Sequence, residues 1–514
     1  MGTVALKSSA GKWIMVSAII ASAMAFIDST ALNVVLPSLQ KSLNATGADL
    51  FWLLNAYLLM LASLILIGGS LGDKLGRKKI FMVGIFIFIT GSAICGFAPT
   101  VLFLIVSRIF QGIGGALMIP GSLSLISSSI NERERGQAIG TWSSITTVVT
   151  IGGPILGGAL GDAGLWRYIF FINVPIGLTA LLILSFKVNE SKDDSADKSL
   201  DFPGAIAIAL GLASLTFGFL RVPAIGFHHP QVYLSLTGGI LMLTAFIFIE
   251  AKSKRPIMPL HLFANATFRG VNLLTFFLYA GLGTGMLFLS LNLVQAQGYS
   301  QLQSGLTFLP FTILMISIAR YAGTIADKHG PRGLLIIGPV LAGMGLLILS
   351  FVKQTNGPAD YWTTFFPGIL VFGLGMSLTV APLTTAVMGS VNDHFSGTAS
   401  GVNNALTRIS NVFANAIFGA LAVLFFAGAL QEQIKNIPLH TKEKQSVIAE
   451  AANLGNAKVP LSINTNDKMV IERAYHESFI RAYANIMRIS AGLGFLGAIM
   501  SVFFIKKSTA KKDK

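Results

Sequence analysis

Apolar runs of about twenty residues recur from one end of this chain to the other, each long enough for a helix to cross the hydrocarbon core of a bilayer. In that medium every backbone donor and acceptor must be satisfied inside the segment, so runs of this kind fold as helices. They fall at about 13–36, 51–71, 80–98, 102–127, 137–161, 166–187, 202–221, 231–250, 269–294, 302–325, 333–352, 362–388, 398–429 and 480–506. These fourteen runs predict an all-α polytopic membrane protein. Only 11% of the residues are charged, against roughly 25% in a soluble globular domain.

The net charge of +15 would suggest a nucleic-acid partner in a soluble protein. Here the basic residues sit between the runs, at Lys74, Arg77, Lys78 and Lys79 and in the tail at Lys506, Lys507, Lys511, Lys512 and Lys514. Lys and Arg in short loops are retained on the cytoplasmic side, so orientation in a membrane explains the charge better than a polyanion does. An even number of spans with a basic tail places both termini in the cytoplasm. The single cysteine, Cys95, excludes an intramolecular disulfide. The first run is longer than a signal-peptide core and holds an acidic residue, which reads as a retained first span.

A charged turn of the pattern Gly-x-x-x-Asp-Lys-x-Gly closes two of the runs. It stands once with Gly69, Asp73 and Gly76 and recurs 254 residues later with Gly323, Asp327 and Gly330. Arg77 follows the first copy and Arg332 the second. A repeat of this kind implies two related halves, and two halves in a bilayer suggest a transporter. Eight spans separate the copies where two six-helix halves would give six. The surplus pair is 202–221 and 231–250. The expected organisation is a six-helix bundle over 1–187, a linker with two inserted helices over 188–268, and a second six-helix bundle over 269–514. A soluble loop at about 430–478 carries six basic and six acidic residues. It reads either as a cap over an outer entrance or as a passive linker.

Ionisable residues inside spans are costly and are functional candidates by default. Asp28 lies more than one helical turn from either end of the first run. Desolvation favours its neutral form and a neighbouring cation its charged form, so its protonation can change during a transport cycle. A permanently paired structural carboxylate is the alternative. Arg108, in the fourth run, stays charged and can bias a carboxylate or hold an anion, or it can serve packing beside Gly112, Gly114 and Gly115. Asn404, Arg408, Asn411 and Asn415 form one stripe of a helix, suited to lining a wet cavity or to interhelical hydrogen bonds. With Asn33, Asn55, Tyr57 and Gln111 of the first half, Asn404, Arg408 and Asn411 are the candidates for a substrate cavity. Gly153, Pro154, Gly157 and Gly158 combine a bend with close helix approach, which suits a gate. The doubled turn reads as a cytoplasmic gate cluster rather than a topological anchor alone.

No nucleotide-binding loop occurs, and no histidine and cysteine spacing suits a metal, so neither an enzyme nor a resident cofactor is expected. Direct drive by ATP hydrolysis is therefore not expected.

These segments resemble the major facilitator superfamily, specifically its fourteen-span drug:proton antiporter branch. Gly69–Lys79 is similar to that superfamily's loop between spans two and three, and Leu104–Gly115 to its fourth-span signature, with Arg108 at the arginine position. Gly153–Gly158 resembles the antiporter motif, and Asp28–Pro37 and Trp166–Pro175 resemble two markers of the branch. The resemblance implies the major facilitator fold, with two six-helix bundles and two inserted helices. It further implies alternating access powered by inward proton flow, with Asp28 as the proton-linked carboxylate and Arg108 as its modulator. The 69–79 turn with the Asp327 turn would lock the inner gate, and Pro154 with its glycines would favour exchange over leak. Members exporting bivalent cations carry further acids in second-half spans. Here 302–325 has no Asp or Glu and 398–429 offers asparagines and Arg408, which favours neutral or singly charged lipophilic cargo.

The leading expectation is therefore a monomeric, proton-coupled exporter of lipophilic compounds in a bacterial inner membrane, whose partners are its small-molecule cargo, protons and the lipid bilayer. An exporter of one lipid or metabolite on the same fold is the nearest alternative. A membrane receptor that binds a partner through the 430–478 loop is the alternative from another class, since fold-level analogy alone does not settle function.

Overall fold

In the computed structural model, which describes residues 3–191, 201–253, 256–391, 396–435, 437–461 and 463–506, helices account for nearly every described span. The first half runs α1 (Ser9–Leu43), α2 (Gly47–Leu75), α3 (Arg77–Gly96), α4 (Val101–Ser129), α5 (Glu132–Asp162), α6 (Tyr168–Phe171) and α7 (Asn173–Lys187). A hairpin of α8 (Phe202–Ile225) and α9 (Pro230–Lys252) follows. The second half holds α10 (Ala266–Gln295), α11 (Gln301–Leu306), α12 (Leu309–His329), α13 (Arg332–Leu349), α14 (Tyr361–Gly389), α15 (Ser396–Ile434), α16 (Thr441–Ala449) and α17 (Thr465–Phe504).

Among the described residues thirteen helices are long and apolar enough to cross a membrane, and the apolar part of α5, Val148–Asp162, is shorter. The helical hydrogen-bond ladder is interrupted in two of these spans, and proline accounts for both interruptions. Pro175 has no N–H for the carbonyl of Phe171, so the ladder lapses at Ile172 between α6 and α7 while the backbone there keeps helical φ and ψ. Pro310 stands in the same relation to Leu306 and separates α11 from α12. Pro154 leaves α5 a single helix.

The soluble loop expected over 430–478 is shorter than that. Helix α15 continues to Ile434, and α17 begins at Thr465, well before the expected span start near 480. At 40 residues α17 is about 60 Å long at 1.5 Å per residue, twice the hydrocarbon thickness, so its first turns stand clear of the core. Between them, α16 and the 3-10 segment Glu450–Asn456 close a small core of Val447, Leu454, Ile471, Tyr475 and Phe479, all buried. The Tyr475 hydroxyl donates to the Val447 carbonyl at 3.1 Å.

The chain divides into two compact units. One comprises residues 1–33, 53–213 and 239–260, the other 34–52, 214–238 and 261–514. In the second unit the tip of the α1–α2 hairpin is held by the segment before α17. The Gln40 amide donates to the Asn453 carbonyl at 3.0 Å and accepts from Asn456 at 2.7 Å and from Gln295 at 3.1 Å.

Candidate functional site

In the first unit Asp28 is fully buried at the centre of a polar cluster drawn from α1, α3, α4 and α7. An apolar helix carries it there because one carboxylate is tolerated where the surroundings supply donors. Arg108 Nη1 donates to Asp28 Oδ2 at 2.5 Å and to Gln111 Oε1 at 2.7 Å. Gln111 Nε2 donates to Asp28 Oδ1 at 2.9 Å, and Asn173 Nδ2 reaches the same oxygen at 3.4 Å. Arg108 and Gln111 are one turn apart on α4, so a single helix face presents both. Asn173 also donates to Ser92 Oγ at 3.0 Å, and Ser92 to the Phe170 carbonyl at 2.8 Å. The Cys95 thiol lies 3.6 Å from Gln111 Oε1.

The arginine is 1% exposed and its guanidinium carbon sits 4.4 Å from the centroid of the Tyr57 ring and 5.8 Å from that of Phe170. A cation sandwiched by ring faces is compensated partly by their quadrupoles. Its Nε has no partner among the described residues. The glycines after Arg108 make room for this arrangement. A side chain at Gly112 would meet the Tyr57 carbonyl at 2.6 Å, and one at Gly114 would run into the backbone of Phe88.

The helix carrying Asp28 is gripped by α5. A methyl group on Gly153 would overlap the Thr30 hydroxyl, and one on Gly157 would overlap the Ala31 carbonyl and lie 2.8 Å from Ala31 Cα. Thr30 Oγ1 donates to the Thr150 carbonyl at 3.1 Å. Gly158 is buried, whereas Gly152 faces open space. Two backbones thus meet within one turn of Asp28, which is what small residues permit between membrane helices.

The two charged turns share a device. Gly76 and Gly330 have φ values of 113° and 84°, in the region that favours glycine, and each is followed by a helix start. Arg77 donates to Ser191 Oγ at 3.2 Å beyond the end of α7, and Arg332 to the Val502 carbonyl at 2.9 Å near the end of α17. Each arginine therefore ties its turn to the last helix of its own half. The carboxylate of Glu190 accepts from the Lys78 and Lys79 amides at 2.9 and 3.0 Å, capping the N-terminus of α3. The side chains of Asp73 and Asp327 lie outside the described residues. Gly69 is half-buried on α2, and Gly323 on α12 packs near Ala381.

The expected cavity residues fall to separate units. Asn33, Asn55, Tyr57 and Gln111 belong to the first, with Tyr57 and Gln111 committed to the Asp28 cluster and Asn55 fully buried. In the second unit Asn404 is exposed and bonds back to the Ser400 carbonyl of its own helix. Asn403, one residue earlier, makes the interhelical bonds, donating to Asn272 at 3.0 Å and Thr275 at 2.8 Å. Arg408 is half-buried within electrostatic range of Tyr279, and Asn411 Oδ1 faces the space left by Gly283. Asn173, Ser92, Glu190 and Asn403 were missed from the sequence. Asn173 stands inside one of the marker segments, and an amide in an apolar run was the available signal.

A family model described as Major Facilitator Superfamily matches residues 18–415. The chain is similar to the tetracenomycin C resistance and export protein of Streptomyces glaucescens, 27% identical over 93% of this chain and 89% of the relative. It is similar also to multidrug resistance protein Stp of Mycobacterium tuberculosis, 29% identical over 84% and 80%. The methylenomycin A resistance protein of Bacillus subtilis is 29% identical over 82% and 90%. Among solved structures, a bacterial homolog of the human lysosomal transporter Spinster superposes with a TM-score of 0.65 at 17% identity, covering 96% of this chain and 98% of that one. A D-xylose-proton symporter does so at 0.57 and 16%, with 96% and 98% covered. At such identities these two likenesses show the fold.

Proposed function

The chain belongs to the major facilitator superfamily and is a multi-pass membrane transporter, not an enzyme; from that premise we propose that it exports lipophilic small molecules in exchange for protons. The drug-resistance and export proteins among its relatives support the cargo class. The Asp28 cluster carries the coupling.

Asp28 accepts from Arg108, Gln111 and Asn173 together, and a proton arriving on the carboxylate cancels the charge that strengthens these hydrogen bonds. That weakening loosens α1 from α4. Because Gly153 and Gly157 hold α5 against Thr30 and Ala31, a shift of α1 is passed to α5 by contact. The bundles 1–187 and 269–514 alternate access around a central site, with 188–268 as the inserted linker and the two charged turns closing the cytoplasmic side. The membrane is a bacterial inner membrane, the termini are cytoplasmic, the proton gradient supplies the energy and the transporter acts as a monomer. Neutral or singly charged compounds are the preferred cargo, since 302–325 has no Asp or Glu and 398–429 offers asparagines and Arg408 rather than a further carboxylate.

Dye uptake in everted vesicles tests this reading, with wild type set against Asp28→Asn and a panel of neutral, monocationic and dicationic compounds. The variant should still bind dye but lose proton-driven accumulation. Equal proton-driven transport by both proteins removes Asp28 from the coupling.

A further inference from the structure

A second pair of buried acids lies in the first unit, where α8 begins and α9 ends. Glu250 is 2% exposed and Asp201 is 9% exposed. Each has one oxygen occupied by the backbone. Glu250 Oε2 accepts from the Met258 amide at 2.8 Å, and Asp201 Oδ1 from the Gly204 amide at 2.9 Å. Each has its other oxygen, Glu250 Oε1 and Asp201 Oδ2, buried without a partner.

Gly204 shows how near the two groups are. A side chain there would begin 2.6 Å from Glu250 Oε1 and 3.1 Å from Asp201 Oδ1, so both carboxylates crowd one point. Beside them an open surface depression is lined by Asp201, Pro203, Phe248, Ile249, Lys252 and Ser253, so Asp201 is the member of the pair that borders it. Lys252 is the cation on that lining, and among the described residues no ion pair joins it to either acid. Lys254 and Arg255 lie outside the described residues.

A charged Glu250 this close to a second carboxylate is opposed by repulsion and by its own burial. A single proton removes one charge and supplies the donor that the orphan oxygens lack. We propose that Asp201 and Glu250 hold one proton between them, forming a protonation site on the inserted α8–α9 hairpin separate from Asp28. Glu250 also anchors the Met258 amide, so the site joins a proton to the segment that follows α9.

Infrared spectroscopy of the purified full-length chain tests the assignment, independently of any transport assay. At neutral pH the wild type and Asp28→Asn should both show a protonated-carboxyl band that shifts in heavy water. Glu250→Gln should lose that band, and Asp201→Asn should lose or weaken it. Glutamine and asparagine keep the acceptors for Met258 and Gly204, and elution as a single species verifies each fold. If one variant fails to fold, the other decides alone. A wild type without the band at neutral pH overturns the proposal, as does a band kept by the folded variants or removed by Asp28→Asn.

Discussion

Replacing Arg108 by glutamine leaves Asp28 buried without its counter-charge. The two side chains are at most 1% exposed and their nearest atoms are 2.5 Å apart. At an effective dielectric of about 20, the gross attraction over that distance is roughly 6–7 kcal/mol. Desolvating the two ions costs several kcal/mol each, so the intact pair contributes little net stability. Removing one partner exposes the cost of the ion left behind, about 3–5 kcal/mol. Gln111 and Asn173 still donate to Asp28, which places the expected loss near the lower end, about 3 kcal/mol. Asp28→Asn/Arg108→Gln removes both charges and should recover most of that loss. Unfolding of the purified protein in detergent measures all three proteins. If Arg108→Gln matches the wild type, or if the double variant is no more stable than the single one, the cluster is not a charge-compensated pair.

Three further outcomes follow from the packing. Gly157→Val should destabilise by about 1–3 kcal/mol or more through overpacking against Ala31, whereas Gly152→Ala, facing open space, should leave thermal stability unchanged or slightly raised; equal melting of the two variants would remove the α1–α5 contact from the account. Gln40→Ala strips three hydrogen bonds from the tip of the α1–α2 hairpin, so protease should cut within 435–464 faster than in the wild type, and an unchanged rate argues against that anchor. Glu190→Ala takes the acceptor from two amides at the start of α3 and should cost about 0.5–2 kcal/mol in thermal unfolding, while a neutral result would mean that water caps this helix equally well.

Some of this architecture was legible in local pattern. Span positions follow from hydropathy because a bilayer leaves the backbone few alternatives to helix. The repeated turn led to the expectation of two halves, and its glycines Gly76 and Gly330 take the positive φ that a sharp turn between helices requires. Pattern failed where tertiary context intervened. The 430–478 stretch looked like a polar loop, yet Tyr475 and Phe479 sit on a helix that outruns the apolar part of its span, because packing against Val447 and Leu454 extends it. Glu190, in the short segment after α7, caps the basic turn 112 residues earlier in the chain, a pairing that no local pattern shows.

The Asp28 cluster divides along the same line. Composition alone made Asp28 and Arg108 conspicuous, since a charge in an apolar run is expensive wherever it ends up. Hydropathy likewise dictates a polytopic membrane protein, and repeat spacing leads to the expectation of two halves with an inserted pair of helices. Only the folded chain decides that Arg108 faces Asp28 across 80 residues of sequence, that Gln111 and Tyr57 serve this pair, and that Asn173 completes it from 145 residues away. Helix formation is set by neighbours along the chain. The partner of a buried charge is set by which helix faces meet, and that depends on glycines and prolines distributed over all of them.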